Sequence, residues 1–209
     1  DAVEEMGATY FTVRGLVNTY GTGVINAVNY GVDHARGRYI LIFAADELGP
    51  VVAIDDMLGL MEEGCDLVSC TRYAHGGQRL GGSSVSRVLS RLANRLFRFL
   101  TPCVLSDCTT GIKMFKRERY SEFALRSAPV GWAFAFELAI RAHTLGMSMG
   151  EVPIVSIDRF YGGESTFRPV PWVKEYGKWF LRGLRDIGFG KCGHLPPAKV
   201  RVPMTIRDR

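Results

Sequence analysis

Apolar residues fall along this chain with two spacings that take turns. Short, nearly unbroken apolar runs, YILIF at 39–43 and DLVSCT at 66–71, read as strands, the first of them fully buried. Stretches with apolar residues three or four apart predict helices over 24–35 and 51–63, the second with Ile54, Leu58 and Met61 on one face. Strand and helix alternating in this way predict a parallel α/β sheet built by right-handed crossovers. Between them, RYAHGGQRLGGSS at 72–84 is too rich in flexible residues for regular structure and reads as a long functional loop.

Over 85–100 the pattern changes character. Val85, Val88, Leu92, Leu96 and Phe99 share one helical face, while Arg87, Arg91, Arg95 and Arg98 recur on the opposite one without an acidic residue. Two readings stand: a solvated basic face, or an interfacial helix whose cations meet lipid phosphates. Beyond it come a turn, the basic stretch KMFKRERY, an apolar helix over 132–142, a strand over 151–157, the polar loop DRFYGGEST and an aromatic amphipathic helix over 171–188. The opening lacks the strand and loop with which a nucleotide-binding open sheet starts. The expectation is one domain over 1–190, shortened at its N-terminus, followed by an irregular tail over 191–209.

Composition narrows this picture only a little. A chain of 209 residues, 47% hydrophobic and 22% charged, can bury the core of one ordinary domain. Its net charge of +5 favours an acidic partner, which nucleic acid, an anionic membrane surface or a phosphorylated substrate would each satisfy. Nucleic acid is set aside, because the cations cluster in one helix without interleaved base-stacking aromatics. Cysteines at 65, 70, 103, 108 and 192 lack the usual zinc-ligand spacing and read as reduced core thiols of a cytoplasmic protein. Every apolar run is too short to cross a bilayer, so a membrane contact would be peripheral.

Chemistry-bearing residues follow the strands. Asp46 and Glu47 in AADELGP come directly after the strand at 39–43, where open α/β sheets place ligand groups, and two adjacent carboxylates there suit Mg²⁺ or Mn²⁺ on a diphosphate. The alternative is that Asp46 caps the next helix. Arg72 follows the next strand and should emerge on the same sheet edge, as a phosphate contact or a solvated ion-pair partner. Asp107 in SDCTTG is either an Asx-turn residue or an acid facing substrate. Lys113 and Lys116 are expected to be solvated, and Gly21-Thr22-Gly23 to be an ordinary turn rather than a phosphate cradle. In DRFYGGEST, Arg159 is followed by two glycines and by Ser165 and Thr166 as donors, the makings of a flexible lid over a diphosphate.

Taken in order, NTYGTGVINAVNYGVDHARGRYILIFAADE, SCTRY, SDCTTGIKMFKR, FAFELAIRAHTLGMSMGEVPI and DRFYGGEST resemble the family-2 glycosyltransferases, and within them the dolichyl- or polyprenyl-phosphate mannosyl- and glucosyltransferases. The resemblance runs from about Val13 to about Phe180. It implies a GT-A fold: a Rossmann-like, mostly parallel sheet flanked by helices, here without the strand that carries the base-binding residues. It implies an inverting transfer of a sugar from a nucleotide-sugar donor of the GDP-mannose or UDP-glucose type to a lipid-linked phosphate, with a saccharide acceptor or an inactive binding module as the alternatives. Carried over, it makes Asp46 a metal and donor-diphosphate residue with Glu47 beside it, and Arg159 and Ser165 donor-loop contacts. Arg72 and Arg87 become acceptor-phosphate contacts, and Asp107 a residue of the reacting centre. Glu137 matches a helix glutamate that is structural or positions substrate. Ala44 departs from the pattern, standing at the first aspartate of the D-x-D motif, and Thr166 stands where lysine is common.

Overall fold

The computed structural model describes residues 13–44, 49–81, 84–158, 169–189 and 195–207. The elements run in the order α1 (Val24–His34), β1 (Tyr39–Ile42), a 3-10 turn (Gly49–Ala53), α2 (Ile54–Glu62), β2 (Leu67–Thr71), β3 (Gln78–Gly81), α3 (Ser84–Leu100) and β4 (Lys113–Lys116). A second 3-10 segment (Arg117–Phe123), α4 (Ala133–Thr144), β5 (Met149–Pro153), β6 (Val155–Asp158), α5 (Pro169–Ile187), β7 (Lys199–Val200) and α6 (Met204–Arg207) follow.

The main sheet has the order β1-β4-β2-β5-β7. β2, β5 and β7 pair in parallel, and β4 runs antiparallel to both β1 and β2. The sheet is therefore mostly parallel in direction with one reversed strand inserted between β1 and β2. Its central strands are apolar on alternate residues to both sides. Leu67, Phe115 and Met149 join a cluster with α3, α4 and α5, whereas Val68, Cys70, Met114 and Val152 join one with α2. α4 is buried along nearly its whole length, and Trp179 of α5 and Phe97 of α3 close the larger cluster. Gly183 of α5 lets these helices approach, since a Cβ there would sit 2.6 Å from the Phe97 ring.

Several sequence expectations change at this level. β1 is only partly buried, because it ends the sheet among the described residues instead of lying inside it. Leu58 points outward, and Met57, Leu60 and Met61 form the inner face of α2, which starts one 3-10 turn later than the periodicity suggests. The 72–84 stretch holds a short strand, β3, entered through a tight turn at Gly77, where a Cβ would meet the Thr71 carbonyl oxygen at 2.3 Å. The strand expected over 151–157 is two strands in different sheets, β5 in the main sheet and β6 parallel to β3. The tail supplies β7 at the far edge of the main sheet.

Candidate functional site

Both β2 and the turn after α3 deliver polar residues to one place, at the C-terminal end of β2. Arg72, the first residue past β2, donates from Nε to Asp107 Oδ2 (2.7 Å) and from Nη2 to Asp107 Oδ1 (3.0 Å), and its backbone N–H also meets Oδ2 at 3.2 Å. This two-pronged pair fixes the planar guanidinium against the carboxylate. Burial alone would push the Asp107 carboxyl up, but the charge and hydrogen bonds of Arg72 outweigh it and hold the group below the usual carboxylate range. Burial likewise works against the Arg72 charge, and Asp107 overrides it.

Thr109 ties the pair to α3. Its Oγ1 donates to Asp107 Oδ1 (3.0 Å) and accepts from Arg72 Nη2 (2.9 Å) and Asn94 Nδ2 (2.8 Å), while its backbone N–H closes an Asx turn on Asp107 at 3.1 Å. Asn94 Oδ1 accepts from the Cys108 N–H at 2.8 Å. One turn earlier on α3, Ser90 Oγ accepts from the Tyr73 hydroxyl at 3.0 Å. Below the pair, Glu151 of β5 accepts from Ser106 through N (2.6 Å) and Oγ (2.9 Å), and burial raises its carboxyl above the usual range. Lys113 of β4 is fully buried and donates to Ser69 Oγ at 2.8 Å; burial pulls its ammonium below the ordinary lysine value. Tyr176 of α5 also faces this cluster, with burial pushing its phenol up.

The structure brings Arg72, which follows β2, together with Asp107 of the turn after α3, a pairing that the sequence reading, which set Arg72 on the edge of Asp46, does not include. Their first partners are each other. Among the described residues, the side-chain hydrogen bonds of Arg72 run through Nε and Nη2. Arg87, three and seven residues before Ser90 and Asn94, borders their inward-facing row on α3, which places it at the rim. It is half-buried, with Nη2 3.3 Å from Ser84 Oγ. Asp46, Glu47, Arg159, Ser165 and Thr166 lie outside the described residues, as does Cys192; Ala44 is the second residue past β1.

Two expectations are corrected here. Lys113 is buried rather than solvated, with the hydroxyl of Ser69 as its hydrogen-bond partner and the nearby Asp107 charge opposing part of its desolvation, and Lys116 is held by Asp66 at 2.7 Å. Of the two roles offered for Glu137, the structural one is visible. Fully buried, it accepts from the N–H groups of Arg126 (2.7 and 2.9 Å) and Ser127 (2.7 Å) and from the Ser127 hydroxyl (2.7 Å), so it pins the loop before α4. Gly23 serves packing: a Cβ there would lie 2.5 Å from Pro129 Cβ. Asn94 and Thr109 are residues of this cluster that sequence reasoning passed over, and Lys113 is one that it set in solvent. The available signal for Asn94 was its place on α3 seven residues after Arg87, beside the arginine row.

No group of three or more His, Cys, Asp or Glu side chains that could hold a metal exists among the described residues. The buried carboxylates Asp107 and Glu151 are engaged with Arg72 and with Ser106. An open apolar groove of about 500 Å³ between α1 and β1, lined by Val28, Val32, Ile40, Phe43 and Trp132 among others, contains none of the candidate residues. No helix among the described residues is long and apolar enough to cross a membrane.

Residues 1–123 match the family model described as Glycosyl transferase family 2. The chain is 28% identical over 172 residues to the polyprenol monophosphomannose synthase of Mycolicibacterium smegmatis, covering 79% of this chain and 64% of that protein. It is also 28% identical over 152 residues to glycosyltransferase AglJ of Haloferax volcanii, covering 72% of this chain and 49% of that protein. The chain therefore spans roughly half to two-thirds of the length of these relatives. Among solved structures it is similar to glucosyl-3-phosphoglycerate synthase from Mycobacterium tuberculosis in complex with uridine diphosphate (TM-score 0.55, 18% identity, 99% of this chain and 76% of that one). A second structure of that synthase, with Mn²⁺, UDP-glucose and phosphoglyceric acid, matches at a TM-score of 0.51 and 20% identity over 90% of this chain and 67% of that one.

Proposed function

The chain belongs to glycosyl transferase family 2, and on that premise we propose that the protein transfers a sugar, with inversion, from a nucleotide-diphosphate donor to a polyprenyl-type lipid phosphate. Its fold is the GT-A fold of its structural neighbours, with the mostly parallel sheet described above. The observation that carries the choice of acceptor is the wall of the site. The Arg72–Asp107 cluster is closed by α3, whose inner residues Ser90 and Asn94 bind into it and whose outer surface carries arginines and exposed apolar side chains. Such a wall suits an acceptor that is anionic at one end and lipophilic at the other. The relative named polyprenol monophosphomannose synthase supports the same class.

The chemistry asks little of a base, because a phosphate monoester is already ionised near neutrality. An acceptor oxygen attacks the anomeric carbon as the bond to the diphosphate breaks, and the nucleoside diphosphate leaves with the bonding electrons. Arg72 and Arg87 at the rim orient the attacking phosphate. Asp107 acts by holding the Arg72 guanidinium in one plane, which fixes where that cation points. Asp46 and Glu47 are the residues proposed to hold Mg²⁺ or Mn²⁺, which would neutralise the leaving diphosphate when bound. Arg159 and Ser165 would grip the same diphosphate from the donor loop. A lipid-linked acceptor puts the reaction at a membrane, with the protein peripheral on its cytoplasmic face.

The test is transfer of labelled sugar from GDP-mannose and from UDP-glucose to polyprenyl phosphate, with Mn²⁺ present or chelated, using the protein extended to the length of its relatives. Metal-dependent transfer with one donor, lost in Asp46→Asn, is the expected result. Transfer indifferent to chelation and to Asp46→Asn would remove the metal assignment. Failure with both donors by a folded protein would remove the reaction.

A further inference from the structure

We infer that α3 is a docking surface for an anionic lipid bilayer, lying in the headgroup plane with its apolar stripe inserted. The helix carries three faces, not two. At roughly 100° per residue, Ser86, Ser90, Ala93, Asn94 and Phe97 point inward, and Asn94 and Phe97 are buried. Arg87, Arg91, Arg95 and Arg98 form a second ridge. Val85, Val88, Leu92, Leu96 and Phe99 form the third, and they are between 44% and 67% exposed. Leu89 joins them at 47%. A core-facing stripe would be covered; this one is turned to the outside along its whole length.

Charge selects the occupant. The 17 residues of α3 contain four arginines and no aspartate or glutamate, and the arginine ridge adjoins the apolar stripe on the helix circumference. An apolar stripe flanked on one side by cations matches the boundary between acyl chains and anionic headgroups, where guanidinium groups meet phosphates while neighbouring side chains leave water. The site gains from this placement. The inner face of the same helix holds the Asp107–Thr109 turn through Asn94 at 2.8 Å, so docking sets the Arg72 cluster about one helix diameter, roughly 10 Å, from the headgroups. The inference concerns surface binding alone and does not require the proposed transfer to be correct.

Flotation of the 209-residue chain with vesicles of phosphatidylcholine, with and without phosphatidylglycerol, tests it without any activity readout. The chain should float with the anionic vesicles at least about tenfold better than with neutral ones, and raised salt should weaken the binding. Arg91→Glu with Arg95→Glu should reduce binding more than about tenfold. Leu92→Glu with Leu96→Glu should abolish it at every salt concentration. These positions are exposed, and unchanged circular dichroism and melting would certify the fold of both variants. Absence of flotation, or flotation indifferent to both double variants, overturns the inference. So does a concentration-dependent dimer that Leu92→Glu with Leu96→Glu disperses and that binds no vesicle, since a second copy would then be what covers the stripe.

Discussion

The two sides of α3 meet opposite fates. On its inner side every polar group is engaged: Asn94 spans the Cys108 N–H, Thr109 and Asp107, and Ser90 reaches Tyr73. On its outer side apolar residues stand in the open beside a row of like charge. The lesson is that one helix can close a buried polar lattice at the end of β2 and still be an unfinished surface. Stability is concentrated in the first side and interaction in the second, and substitutions should separate the two.

The largest effect is expected at the centre of the lattice. Asp107→Ala leaves the Arg72 charge largely buried without its partner and should cost about 3–5 kcal/mol, read as a lowered denaturation midpoint. The same carboxylate sets an acid limit. Its folded pKa lies below the unfolded value, so the stability it contributes is present above the usual carboxylate range and is lost as pH falls through the depressed value. Stability measured against pH should fall less steeply on the acid side in Asp107→Asn than in the parent. Asn94→Ala strands the Cys108 N–H and loosens Thr109, and should cost about 1–3 kcal/mol in urea unfolding. Gly183→Ala forces a Cβ into the Phe97 ring at 2.6 Å and should cost a similar or smaller amount, about 1–3 kcal/mol, with the melting temperature as readout. At the bottom of the series, Leu92→Ser, two residues from Asn94 in sequence, should change stability by no more than about 0.5 kcal/mol.

Why one side of this helix was legible and the other was not has a physical answer. Periodicity in 85–100 shows that apolar residues share a face, but it does not say what that face meets. The core contact falls instead on Phe97 and Asn94, between the two rows. Runs such as DLVSCT and FAFELAI were readable because strands and helices buried on all sides need no partner to be recognised. Strand β1 looked the same, yet it ends the sheet among the described residues, a fact that depends on pairing and not on composition. Arg72 could be placed at a strand end and Asp107 in a turn, but their pairing became visible only in the structure. That they saturate each other, and that Lys113 is buried against Ser69 forty-four residues away, are long-range facts that local sequence does not carry. The proposed donor side, Asp46, Glu47, Arg159 and Ser165, rests on the order of motifs.

The most direct test of the account is a competition between acceptors. The extended protein, charged with labelled nucleotide sugar and Mn²⁺, would be offered polyprenyl phosphate and 3-phosphoglycerate together, and the products partitioned between organic and aqueous phases. Label in the organic phase, lost on Arg87→Ala while donor binding persists, is what a site walled by α3 predicts. Label confined to a phosphoglycerate product in the aqueous phase would contradict it.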